Sequence, residues 1–352
     1  MQANKKGVHR AGDRSVRNAL RVIALGWALL AQGRALEAQQ APLIPAGQSP
    51  ANKTPASQTP GGQTPAAESP TSPPTSSPKE TKLETDSKGF TKRPSRLGET
   101  GVKVHFDVSY CEQKDPLQLA DVYMPAAGDI EHQPRFPAIL AIHGGAWISG
   151  DKRFDALHCR KMAQKGYVVM AINYRLAPKH KHPAQIDDCR EALRWLHEHA
   201  QEYHIDPDKL GVWGYSAGGH LAALMATDRR AQDPPIRVCV AGGAPCDLGM
   251  IPEDSRALAG FLGGTRRALS DVYSKASPIE HVSSDDPPIL LYHGDADELV
   301  PIVYASKMHK KLQECGVACE YLVLPGRSHI MAFVDAKGIA TSIDFFDRHL
   351  KR

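Results

Sequence analysis

Between residues 138 and 350, short apolar runs alternate with helix-patterned stretches. The periodicity predicts strands at 138–142, 167–171, 210–213, 236–240, 288–292 and 319–324. It predicts helices at 153–165, 184–200, 217–227, 302–315 and 338–350. Strands separated by helices run parallel, and a parallel sheet must be covered on both faces. The pattern therefore restricts the chain to an α/β fold with a mostly parallel central sheet. Runs near 102–109 and 118–124 are expected to form its antiparallel edge. Residues 100–352, about 250 of them, are enough for one domain with ample core. Residues 247–287 make a long excursion between strands, expected as a short cap insertion. Shaping a pocket and simply filling a loop are both open for it. No internal repeat is evident.

The front of the chain has another character. Residues 1–21 carry Lys5, Lys6, Arg10, Arg14, Arg17 and Arg21, and an apolar stretch of about ten residues follows, Val22 to Ala31. A membrane-spanning helix needs about 20 residues. This stretch has the length of a signal-peptide core, with Leu36-Glu37-Ala38 as a tolerable cleavage site. Residues 1–38 are thus expected to be a signal peptide, placing the mature protein in the periplasm or outside the cell, with no stable membrane insertion after cleavage. An amphipathic or mitochondrial leader is the alternative, against which Asp13 and the compact apolar block argue. Residues 39–99 are expected to be a disordered linker. Its 40–88 tract is built from Pro, Thr, Ser, Ala, Gln and Gly, which cannot bury a core. Prolines keep such a tract extended, as a tether, a glycosylated stalk or an inert spacer.

Charge follows the same division. The net charge is +4, but residues 1–38 hold seven Lys/Arg against two Asp/Glu, leaving the rest near −1. No basic, aromatic-rich surface is left to suggest a nucleic-acid partner. The seven cysteines (Cys111, Cys159, Cys189, Cys239, Cys246, Cys315 and Cys319) are odd in number and match no zinc spacing. Cys239 lies in an apolar strand and is expected to behave as a small buried hydrophobe. Cys315 and Cys319 bracket a helix-to-strand turn, where a disulfide is one reading and two free thiols the other.

Four motifs sit at predicted strand ends. Gly214-Tyr215-Ser216-Ala217-Gly218 lies between a strand and a helix, so Ser216 is held on a tight elbow and is a candidate nucleophile. His143-Gly144-Gly145-Ala146-Trp147 follows the first strand, where a glycine pair lets backbone N–H groups turn toward an oxyanion. Asp295, Asp297 and Glu298 follow the fifth strand, and the residues alone do not rank these acids. His329 follows the sixth, as a candidate general base. His220, four residues after Ser216, is its main rival, expected to serve in packing or on the helix surface.

Together with Tyr174-Arg175-Leu176-Ala177-Pro178 and the His293…Asp297…Pro301 block, these motifs resemble those of α/β-hydrolase esterases. The resemblance covers about residues 100–352. It is nearest to hormone-sensitive-lipase-like carboxylesterases and bacterial feruloyl or acetyl-xylan esterase-like proteins. It implies an α/β-hydrolase fold and a Ser216–Asp297–His329 triad in the family's chain order. It also implies an oxyanion hole of Gly145, Ala146 and Ala217, with no metal and no cofactor. The implied reaction is ester hydrolysis through an acyl-enzyme, on a small-molecule or polysaccharide ester. Ala146 in place of a third glycine and Tyr215 before the serine favour the sugar-ester branch over the lipase-like one. A short-chain carboxylesterase, an arylformamidase, a peptidase or a non-catalytic binding protein on this fold are the alternatives. The oligomeric state is not legible in the sequence.

Overall fold

The computed structural model describes strands at 84–85, 91–92 and 96–97, and residues 101–351 except 113–116, 127–133, 252 and 254. The expected signal peptide at 1–38 and nearly all of the expected linker at 39–99 lie outside the described residues. Glu84–Thr85 and Thr91–Lys92 form a short antiparallel ladder.

Among the described residues nine strands make the central sheet: β1 (Arg96–Leu97), β2 (Val102–Ser109), β3 (Leu119–Pro125), β4 (Phe136–Ile142), β5 (Val168–Ile172), β6 (Ile205–Tyr215), β7 (Val238–Gly242), β8 (Ile289–Gly294) and β9 (Cys319–Leu324). Their order across the sheet is β9-β8-β7-β6-β4-β5-β3-β2-β1. From β9 to β5 every neighbouring pair is parallel. From β5 to β1 every pair is antiparallel, as expected for this edge. The expected domain boundary at residue 100 falls between β1 and β2.

The helices are α1 (Ala156–Gln164), α2 (Ala184–Glu198), α3 (Ala217–Thr227), α4 (Arg256–Leu262), α5 (Ser270–Lys275), α6 (Val303–Glu314), α7 (His329–Phe333) and α8 (Ala336–Leu350). Successive residues of a strand point to opposite faces, and the core divides accordingly. Leu140, Met170, Val212 and Leu291 pack with Leu193 of α2, Leu221 of α3 and Met308 of α6. Their strand neighbours Ile139, Val169, Trp213 and Leu290 pack with Met162 of α1 and Phe345 and Phe346 of α8. Every residue of α3 is buried, which is why this helix is apolar all round rather than amphipathic.

The bounds of α3 and β9 match the periodicity. Strand β6 begins five residues earlier than the apolar run, because Asp206-Pro207-Asp208 hide its start. The 247–287 excursion contains α4, α5 and two 3₁₀ turns. Helices of five to seven residues are too short to show a period, and α7 leaves no mark in the sequence for the same reason. All seven cysteines are free; Cys239 is buried as expected. Cys315 and Cys319 do not pair, and the Cys315 thiol faces the Val282 carbonyl at 3.8 Å. Among the described residues no helix is long and apolar enough to cross a membrane.

Candidate active site

Because β4, β6, β7, β8 and β9 are parallel, their carboxyl ends share one edge of the sheet. The chain leaves β4 for β5 on one side and returns to β6 on the other. Such a reversal opens a crevice at the strand ends, where ligands bind in open α/β sheets. The ends of β4 and β6 carry the His143 loop and Ser216.

Ser216 joins β6 directly to α3 with φ +58° and ψ −123°, a conformation rarely seen in non-glycine residues. Its N–H donates to the Gly242 carbonyl of β7 at 2.8 Å, and its carbonyl accepts the His220 N–H at 2.9 Å. The flanking glycines have a steric cause. A Cβ on Gly214 would collide with the Gly218 carbonyl, and one on Gly218 with the Ile142 carbonyl. The sharp turn is therefore possible only with both side chains absent.

The His143 loop lies against this elbow. A Cβ on Gly144 would stand 3.2 Å from the Ser216 Cβ. The loop's carbonyls are tied down. His143 Nδ1–H donates to Gly144 O at 2.7 Å. Gly145 O accepts Ile148 N–H at 3.2 Å, Ser149 N–H at 3.0 Å and the Ser149 hydroxyl at 3.1 Å. In a planar trans peptide the N–H points opposite the C=O. Anchoring these two carbonyls therefore turns the N–H groups of Gly145 and Ala146 the other way. Ala217 adds the first N–H of α3, which no helical carbonyl can use. Burial holds the His143 imidazole down to about 4, so it stays neutral and keeps its donor role. Its ring stacks on Tyr174, whose hydroxyl donates to the His143 carbonyl at 3.0 Å. This assigns a structural part to the Tyr174-Arg175-Leu176-Ala177-Pro178 motif. Ala146 and Trp147 both have positive φ, +53° and +62°, so strain gathers on the two facing loops, as is common at functional sites.

The loop after β8 ranks the three acids. Asp295 and Glu298 are exposed, whereas Asp297 is buried. Asp297 Oδ2 accepts His329 Nδ1–H at 2.6 Å and lies 3.2 Å from His293 Nε2. Its Oδ1 accepts the N–H groups of Leu299 at 3.0 Å and Val300 at 2.9 Å. Burial pushes the carboxyl up, but hydrogen bonds from His293 and His329, the His329 charge and the Val300 N–H outweigh it. The group is held below the usual carboxylate range. Asp295 instead accepts the Gly326 N–H and so ties this loop to the one after β9. His293, whose part is not legible in the sequence, also donates to the Val300 carbonyl at 2.7 Å. It thereby closes the turn that carries Asp297.

His220 is fully buried and belongs to the packing, not to the helix surface. Its Nε2–H donates to Ala276 O at 2.7 Å, and its Nδ1 accepts the Trp147 indole N–H at 3.2 Å. Burial holds its ring down to about 3, keeping it neutral. Trp147 stacks on Phe261 of α4 with centroids 4.4 Å apart. Through Phe261 and Ala276 the 247–287 insertion thus rests on the His143 loop and on α3.

The arrangement brings Asp297 and His329 into hydrogen-bond contact and seats Gly144 against Ser216. It joins His329 to the residue before the serine, since the Tyr215 hydroxyl donates to the His329 carbonyl at 2.6 Å. With Nδ1 on the carboxylate, Nε2 is the His329 nitrogen left to take up a proton.

The BD-FAE family model matches residues 120–312, a stretch that contains Ser216 and Asp297 and ends before His329. The chain is 34% identical over 227 residues to the probable carboxylic ester hydrolase LipM of Mycobacterium tuberculosis, covering 59% of this chain and 51% of that protein. It is 32% identical over 211 residues to the ethyl acetate hydrolase of Pseudomonas putida, covering 54% of this chain and 65% of that protein. The chain spans about half the length of the curated relatives it matches. A truncated carbohydrate esterase from gut microbiota superposes with a TM-score of 0.67 at 25% identity, over 72% of this chain and 99% of that one. The architecture is the α/β-hydrolase fold.

Proposed function

The chain belongs to the BD-FAE family, and on that premise we propose that it is a serine hydrolase of carboxylic esters. The observation that carries the reading is the buried 2.6 Å contact between His329 Nδ1 and Asp297 Oδ2, on the sheet edge where Ser216 occupies its elbow. In the proposed reaction Ser216 Oγ attacks the ester carbonyl as His329 Nε2 takes its proton. Asp297 holds the tautomer with Nδ1–H and stabilises the imidazolium. The N–H groups of Gly145, Ala146 and Ala217 stabilise the tetrahedral oxyanion. His329 then protonates the leaving alcohol, and water repeats the cycle on the acyl-enzyme.

For the substrate we propose an acetyl or feruloyl ester of a polysaccharide. Support comes from the truncated form of a carbohydrate esterase, which this chain resembles along nearly all of that truncated chain. A short-chain carboxylesterase is the second reading, favoured by the likeness to the ethyl acetate hydrolase. Export through residues 1–38 is part of the proposal and suits a polymeric substrate outside the cell.

Ser216→Ala tests the core of the reading. It is expected to abolish hydrolysis of p-nitrophenyl acetate and labelling by a fluorophosphonate probe. Retention of most activity would sink the assignment. Acetyl-xylan, methyl ferulate and p-nitrophenyl esters of increasing chain length, compared by kcat/KM, separate the two substrate readings. N-terminal sequencing of the protein from an exporting host tests the leader.

A further inference from the structure

Helix α7 presents His329 at its first position, yet it has only five residues, and its Ser328 N-cap makes no side-chain capping bond. So short a helix cannot hold its shape by its own hydrogen bonds. Two buried side chains from other elements grip it, one at each end. At the start, the Tyr215 hydroxyl donates to the His329 carbonyl at 2.6 Å. At the finish, His158 Nε2–H of α1 donates to the Phe333 carbonyl at 2.8 Å. The Phe333 carbonyl is among those that a helix end leaves without a helical partner. Burial holds the His158 ring down to about 4, so it remains a neutral donor.

The grip at the start differs from the one at the finish in where it leads. Tyr215 is the residue before Ser216, and its backbone forms the last position of β6. Its ring is held between Tyr292, 5.7 Å away, and Phe333, 5.1 Å away, with the His329 ring at 5.0 Å. Gly242 and Gly243 make room for it: a Cβ on either would collide with or crowd the Tyr215 ring. Burial pushes the phenol well above its ordinary range, with Tyr292 and Asp297 adding to the effect, so it stays a donor. A rigid path of one aromatic side chain and one hydrogen bond therefore links the serine's backbone to the histidine's backbone.

We propose that Tyr215 is a positioning residue that sets the reach of the His329 imidazole to Ser216. The inference rests on the esterase reading above. Misplacing a reacting group by about 1 Å can cost roughly a hundredfold in rate. Loss of this tie allows α7 to shift while leaving the Asp297 loop in place.

The test is Tyr215→Phe in the full-length protein, which removes one oxygen and keeps the ring. Tyr167→Phe is the control. Tyr167 lies in the same core cluster, and its hydroxyl donates to Asp347 Oδ1 at 2.6 Å, away from the site. The expected result for Tyr215→Phe is a fall in kcat of roughly ten- to hundredfold with KM within about twofold. Fluorophosphonate labelling slows by a similar factor. The downfield proton resonance of the His329 Nδ1–H···Asp297 bond is expected to broaden or shift. Tyr167→Phe is expected to lower the unfolding midpoint comparably and to leave kcat and that resonance unchanged. Wild-type kcat and an unmoved resonance in Tyr215→Phe would overturn the proposal, as would an equal loss in Tyr167→Phe. An inactive Ser216→Ala beside a fully active Tyr215→Phe refutes the positioning role alone. An active Ser216→Ala refutes the esterase reading beneath it.

Discussion

Replacing Asp297 by Asn removes a charge and almost no volume, and the surroundings of this side chain allow its effect to be worked out. Three donors converge on the carboxylate, Leu299 N–H and Val300 N–H on Oδ1 and His329 Nδ1–H on Oδ2, while His293 Nε2, whose N–H goes to the Val300 carbonyl, lies 3.2 Å from Oδ2. An amide has one oxygen to offer. If it stays on the two backbone N–H groups, the NH₂ faces His329 Nδ1. The proton must then sit on His329 Nε2, where the ring can no longer act as the base toward Ser216. If the amide flips, its NH₂ confronts two buried backbone donors. Each donor left unpaired costs about 1–3 kcal/mol, so the flip is disfavoured by about 2–6 kcal/mol. The first arrangement wins, and the wrong tautomer is imposed. The equivalent change in a serine protease triad lowers kcat about 10⁴-fold, which is about 5 kcal/mol at 1.36 kcal/mol per decade. The assay is kcat/KM for p-nitrophenyl acetate at pH 7, alongside thermal unfolding to show that the variant is folded. A folded Asp297→Asn variant within tenfold of wild type would refute the reasoning. The stability of the two proteins should also converge in acid. The folded carboxyl is held below its ordinary range. It therefore stabilises the fold above about pH 4, and that contribution is lost as pH falls through the folded value.

Gly150 has φ +118°, and a Cβ there would collide with His143 Nδ1 and the Gly144 carbonyl. Gly150→Ala is thus expected to disturb the loop that aims the Gly145 and Ala146 N–H groups. Its kcat should fall about 10²–10³-fold, the usual cost of one oxyanion donor; unchanged kcat counts against that role for the loop. Trp147→Ala removes a buried indole, its stacking on Phe261 and its hydrogen bond to His220. It should lower unfolding free energy by about 3–5 kcal/mol, and a urea midpoint equal to wild type would contradict the docking of the insertion. Buried His143, His158 and His220 are held neutral, at about 4, about 4 and about 3. In the unfolded chain they protonate near 6.5. Stability is present above that value and falls as pH drops from about 6.5 to about 4, by up to about 1.4 kcal/mol per pH unit for each ring. A urea midpoint that stays flat between pH 7 and pH 5 would count against this.

How far the sequence led can be judged from single residues. Ser216 was legible because Gly214 and Gly218 have no tolerated replacement in so tight an elbow, and steric necessity leaves a local trace. Parallel strands were legible because double-sided burial demands continuous apolar runs. Only the family resemblance favours Asp297 over Asp295 and Glu298, since three acids within four positions carry the same local signal. Burial against two histidines separates them, and burial is a property of the assembled loop. The role of His329 among sixteen histidines likewise depends on what lies across the sheet edge. His220 shows the converse: the sequence left packing and surface open, and Trp147 and Ala276 decide for packing.

The amino-acid sequence by itself determined the class of fold, the order of its strands along the chain and the elbow at Ser216. These depend on periodicity, chain length and the absence of side chains, all of which are local. The tertiary structure alone decided which carboxylate meets His329. It alone decided that Tyr215 and His158 hold the short helix bearing His329. Those contacts join residues from 32 to 175 positions apart. Their hydrogen bonds form only when separate strand ends are packed onto one edge, and no local pattern encodes that meeting.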